Sequence, residues 1–95
     1  MLVGRDLIQA FARKQPDSRS SLRSWAQVIE AQSFKQLIAL KETFGSADYV
    51  KPYTVFNIAG NKYRLVALVD YGLQTVSVGH VLTHEEYDEQ GWKAR

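Results

Sequence analysis

Cysteine is absent from all 95 residues, which removes disulfides, thiolate nucleophiles and cysteine-based zinc sites together. A reducing cytoplasm is the simplest home for such a chain, although zero cysteine is permissive rather than diagnostic. Long hydrophobic runs are missing too, with no stretch of about 18 apolar residues to cross a membrane as a helix. The first residues mix Arg5 and Asp6 into their apolar pattern and lack a small-residue cleavage site, so they do not read as a signal peptide. There is no G-x-x-x-x-G-K-[ST] phosphate loop and no G-x-S-x-G nucleophile elbow. Imidazole is scarce, with two histidines, His80 and His84. Four residues apart they would suit zinc on a helix, but His80 falls on a predicted strand. Neither a metal nor a cofactor is expected.

What is present fits one domain, 1–95, with one core and little surplus for a second. Hydrophobic residues make up 45% of the chain, including two Trp, five Tyr and four Phe, enough for an ordinary globular interior. Net charge is only +2 but unevenly spread. Residues 1–44 carry seven Lys/Arg against four acids, a balance of +3, and the remainder carries five against six. A basic half attracts polyanions. The plainer reading is that these cations are the solvated faces of amphipathic helices.

Helical spacing of Val3, Leu7, Ile8 and Phe11 predicts a first helix, closed by Pro16 and Asp17. Ser18 or Ser20 can cap a second, whose Leu22, Trp25, Ala26 and Ile29 follow one buried face. Ser33 with Gln36 fits a capping box for a third segment, in which Phe34, Leu37, Leu40 and Phe44 lead to Gly45. At these spacings Trp25 and Phe34 are core rather than base-stacking residues.

Beyond Gly45 the period changes. Residues 46–52 read as a connecting loop ended by Pro52. Tyr53–Ile58, Tyr63–Val69 and Thr75–Leu82 read as strands joined by turns at Ala59-Gly60-Asn61 and at 70–74. The middle strand is apolar on both faces, as a central strand covered by helices on one side would be. Thr83 with Glu86 is a capping box opening a short helix on which His84 and Tyr87, three apart, share a face. The expected architecture is α+β, with N-terminal helices packed on a small antiparallel sheet.

The polar residues of 54–87 suggest a chemistry. Arg64 follows the Gly60-Asn61 turn, where its planar fork suits a phosphate and turn N–H groups can assist; an ordinary strand-end arginine paired with Asp70 or Asp88 is the alternative. His84 can exchange a proton with a ribose hydroxyl. His80 has the strand parity of Val76, Val78 and Leu82, which leaves core and groove both open. Tyr87 can donate a proton or stack on a base, or simply pack beneath the last helix. A cation, imidazoles and a phenol are the side-chain types that cleave RNA without a metal, which is compatible with an enzyme without establishing one.

The strings V-F-N-I-A-G-N-K-Y-R-L-V and H-V-L-T-H-E-E-Y-D resemble the HigB family of bacterial toxins, which are RelE-like messenger-RNA interferases. The resemblance extends to Phe44-Gly45-Ser46-Ala47-Asp48 and to Gly91-Trp92-Lys93. It implies a RelE-like fold and a metal-independent endoribonuclease that cuts messenger in the ribosomal A site by 2′-hydroxyl attack. It also implies a cognate helix-turn-helix antitoxin of the HigA kind, with operator DNA reached only through that antitoxin. Carried over residue by residue, Arg64 would hold the scissile phosphate. His84 would act as acid or base, with Tyr87 its partner in proton transfer or stacking. Asn61 and Lys62 would hold the RNA backbone, with His80 in reserve, and the basic helices would meet ribosomal RNA.

Two departures stand out. Gly79 occupies a place where many members of that family carry Arg, and Glu85 one where Lys is frequent. Both make the expected groove less positive. They leave a second possibility, a non-catalytic member kept as antitoxin-binding partner and corepressor.

Overall fold

The computed structural model describes residues 1–89 and 91–94. A short strand β1 (Leu2–Val3) precedes helix α1 (Arg5–Lys14), a 3₁₀ turn (Pro16–Ser18), α2 (Arg19–Ala31) and α3 (Leu37–Thr43). Strands β2 (Asp48–Val50), β3 (Tyr53–Ile58), β4 (Tyr63–Asp70) and β5 (Thr75–Thr83) follow, then α4 (His84–Glu89) and a 3₁₀ turn at Gly91–Ala94. The sheet order is β1-β5-β4-β3-β2, antiparallel throughout except for the parallel β1–β5 pair. This is the α+β arrangement expected.

Leu22, Trp25, Ala26 and Ile29 of α2 are all buried against the sheet, as their spacing predicted. The Trp25 and Phe56 rings meet edge to face with centroids 5.2 Å apart. Phe34 is buried in the same core. β4 is covered on both faces, because its residues alternate between two clusters. Leu65 and Ala67 face the helices, whereas Val66 joins Val55 and Trp92 on the outer face.

Three boundaries differ from the sequence reading, each because a tertiary contact outweighs local pattern. Leu2 and Val3 are not the start of α1. They pair with Val76 and Ser77 of β5, and Gly4 then turns the chain at φ 96°, where a Cβ would come within 3.0 Å of Val78. Residues 46–52 are not all loop, since Asp48–Val50 pairs antiparallel with β3. The Ser33–Gln36 box does not form. The Gln74 side chain accepts from Phe34 N–H at 3.0 Å and donates to its carbonyl at 2.5 Å. Phe34's backbone is thereby committed outside the helix, and α3 begins at Leu37 with no side-chain cap. The Thr83–Glu86 box does form: Thr83 N–H donates to Glu86 Oε1 at 2.9 Å and Glu86 N–H to Thr83 Oγ1 at 3.2 Å.

The strand parity expected for His80 holds with Leu82 but not with Val76 and Val78. Val66 pairs with His80 but Ala67 with Val78, leaving Gly79 as the extra residue of a β-bulge. The bulge moves His80 off the face of Val76 and Val78 and onto the outer face with Val66 and Leu82.

Candidate active site

The turn between β3 and β4 is the hub on which the polar residues converge. Arg64, only 9% exposed, is folded back against it. One guanidinium nitrogen donates to the carbonyls of Asn61 and Tyr63, both at 3.1 Å. The other donates to Asn61 Oδ1 at 2.8 Å and lies 3.4 Å from His84 Nδ1. The Tyr87 ring lies over the guanidinium at 5.5 Å. Among the described residues no carboxylate pairs with this buried cation.

His84 is tied to the same turn, its own N–H donating to the Lys62 carbonyl at 3.1 Å. Its Nδ1 also lies 3.2 Å from the Asn61 carbonyl, and its Nε2 lies 3.2 Å from Asp88 Oδ2, one helical turn on. The two ring nitrogens therefore have partners for either charge state. With its hydrogen on Nε2, the neutral ring donates to Asp88 and accepts from Arg64 at Nδ1. The protonated ring would donate at Nδ1 to Asn61 instead.

Tyr87 is held from behind. Its ring stacks on Trp92 at 5.2 Å and 16°, and Trp92 Nε1 donates to the Tyr87 carbonyl at 3.1 Å. His80 lies farther along the outer face in an aromatic group, its centroid 6.3 Å from Tyr53 and 6.4 Å from Trp92. Lys62 points the other way, to Asp17 in the turn between α1 and α2. That carboxylate also accepts from the Tyr63 hydroxyl at 2.7 Å. Hydrogen bonds from Lys62 and then Tyr63 hold the Asp17 carboxyl below its usual range. Its hydrogen bond to Asp17 raises the Lys62 ammonium, and the separate bond that the Tyr63 hydroxyl donates to Asp17 raises the phenol.

Arg64, Asn61, His84 and Tyr87 are thus gathered on one small surface, with Lys62 and His80 at its margins. A buried fork-shaped cation beside an imidazole and a phenol can hold an oxyanion and move a proton next to it. Along 84–89 the adjoining α4 adds four carboxylates, Glu85, Glu86, Asp88 and Glu89. Among the described residues no group of three His, Cys, Asp or Glu gathers in a way that could hold a metal ion.

Residues 18–90 match the family described as HigB_toxin, the RelE-like toxic component of a toxin-antitoxin system. The chain belongs to the HigB toxin family. Among its relatives, "mRNA interferase toxin HigB" of Escherichia coli (strain K12) is 33% identical over 90 residues, covering 92% of this chain and 86% of that protein. The figures are the same for "mRNA interferase HigB" of Shigella flexneri. "mRNA interferase HigB" of Escherichia coli O6:H1 is 25% identical over 91 residues, 93% of this chain and 88% of the relative.

Several residues that shape this toxin's candidate site were missed from the sequence. Asp88 was legible, since i,i+4 spacing puts it on the His84 face. Asp17, Tyr53 and Trp92 were not, because their places depend on how the helical hairpin and the last turn fold back.

Proposed function

We propose that this toxin is a messenger-RNA endoribonuclease acting on the ribosome. The observation that carries the reading is the buried Arg64, without a carboxylate partner among the described residues, 3.4 Å from His84 and beneath Tyr87. Burying a guanidinium without a counter-anion costs stability, and a scissile phosphate would supply the missing charge. The names of the relatives, mRNA interferases, support the same substrate.

In this mechanism Arg64 binds the phosphate and stabilises the charge that grows on it in the transition state. The 2′-oxygen attacks phosphorus and its proton passes to the His84 imidazole. The P–O5′ bond breaks, and the leaving oxygen takes a proton from Tyr87. The products are a 2′,3′-cyclic phosphate and a free 5′-hydroxyl. Asn61 and Lys62 steady the neighbouring backbone, Lys62 by exchanging Asp17 for phosphate, and His80 lies where a flanking base would stack. The setting is the cytoplasm. The partner is a HigA-like helix-turn-helix antitoxin, through which operator DNA is reached.

The carboxylates of α4, Glu85 among them, and the missing cation at Gly79 favour a second reading, a non-catalytic corepressor. Induced expression without antitoxin separates the two. Growth arrest with new 5′ ends in translated messages, lost in Arg64→Ala and His84→Ala, is expected of the enzyme. Removing Arg64 should lower cleavage by about 100-fold or more. Normal growth with soluble, folded protein would sink the enzyme reading. Equal cutting of naked and ribosome-bound RNA would sink the ribosome-dependent part.

A further inference from the structure

A groove of about 610 Å³ runs between α1 and α2, and none of Arg64, His84 or Tyr87 lines it. The two helices form an antiparallel hairpin, tied at its open end by Arg5 and Glu30 at 2.8 Å. Ile8, Ala12, Leu22 and Ala26 make an apolar floor, and the two alanines leave room above it. The rims are polar and graded in charge. Arg5 is neutralised by Glu30, Gln9 and Gln27 occupy the middle, and Arg13, Arg19 and Arg23 close the far end.

These last three arginines, all exposed, join no ion pair among the described residues. Their placement costs stability. Arg19 and Arg23 repel at i,i+4 spacing. Arg19 also stands in the first turn of α2, at the positive end of the helix dipole, where no acid is present. The nearest carboxylate along the chain, Asp17, is taken by Lys62 and Tyr63, whereas an anionic partner would offset the three charges.

We infer that the groove docks an amphipathic helix of the antitoxin. Apolar side chains of that helix would rest on the Ile8–Leu22 floor, and its carboxylates would meet Arg13, Arg19 and Arg23. An antitoxin rather than RNA is favoured by the floor. A phosphodiester backbone has nothing apolar to place there, and no aromatic ring lines the groove on which a base could stack. A helix with an apolar stripe and acidic flanks satisfies both. Ribosomal RNA, the partner first expected for these basic helices, becomes the competing occupant.

The test uses the full chain and the antitoxin encoded beside it. Titration calorimetry would compare wild type with Arg13→Gln/Arg19→Gln/Arg23→Gln, and binding to 30S ribosomal subunits would be measured in parallel. Because the three side chains are exposed, the variant is expected to fold as wild type, checked by circular dichroism. Antitoxin affinity should fall at least about 10-fold, with subunit affinity changing less. A photo-crosslinker replacing Gln27 should capture an acidic helical segment of the antitoxin. Unchanged antitoxin affinity, capture of no antitoxin peptide, or a larger loss of subunit binding would each overturn the inference.

Discussion

Asp17 is the residue through which the helical hairpin holds the β3–β4 turn. Lys62 and Tyr63 both bond to it, while the neighbouring Asn61 holds Arg64 and the Lys62 carbonyl holds His84. With Lys62 as the leading cause, its carboxyl lies below the ordinary aspartate range. A depressed carboxyl stabilises the folded turn fully above its unfolded value of about 3.9. That contribution is lost as pH falls through the lower folded value. Carbon-13 titration of Asp17 should give a midpoint below that of an unpaired aspartate, and Lys62→Gln should move it upward. An unshifted wild-type midpoint would mean that the clamp is not populated in solution. None of this was legible in the sequence, where Asp17 marked only a helix end. Its role depends on a partner 45 residues away.

At the scale of elements, the reading succeeded where one local rule and the tertiary fold agreed. The stripe of α2 and the reciprocal Thr83–Glu86 cap are both of that kind. It failed where a distant side chain competed, as Gln74 does for Phe34, and it left His80 open, because a single extra residue, Gly79, decides the face. The cap also has a functional consequence, because α4 is only six residues long and carries His84 and Tyr87. So short a helix depends on its cap and on tertiary packing. Thr83→Ala should cost about 1 kcal/mol. Amide exchange in 84–89 should speed up more than exchange in β4, with cleavage weakened in proportion. Uniform acceleration across the sheet would mean instead that α4 opens only with the whole domain.

The whole molecule divides its burial unequally between the two faces of one sheet. The helix side holds the large core from Leu2 to Val78, and none of Arg64, His84 or Tyr87, the proposed catalytic residues, belongs to it. Among the described residues the outer face buries only Val55, Val66 and Trp92, fringed by Val50, Tyr53, Leu82 and Tyr87. Trp92 is the keystone of that smaller cluster, stacked on Tyr87 and touching Tyr53 and His80. Packing of the outer face and geometry of the site are therefore one property. Trp92→Ala should destabilise the protein by about 3–5 kcal/mol and release Tyr87 from its place over Arg64. Trp92→Phe should recover much of the stability by refilling the volume, while losing the bond from Nε1 to the Tyr87 carbonyl. Urea unfolding and a ribosome-programmed cleavage assay on both variants would separate the two effects. If Trp92→Phe restored stability and full cleavage together, the indole bond to Tyr87 would be dispensable and packing alone would set the site.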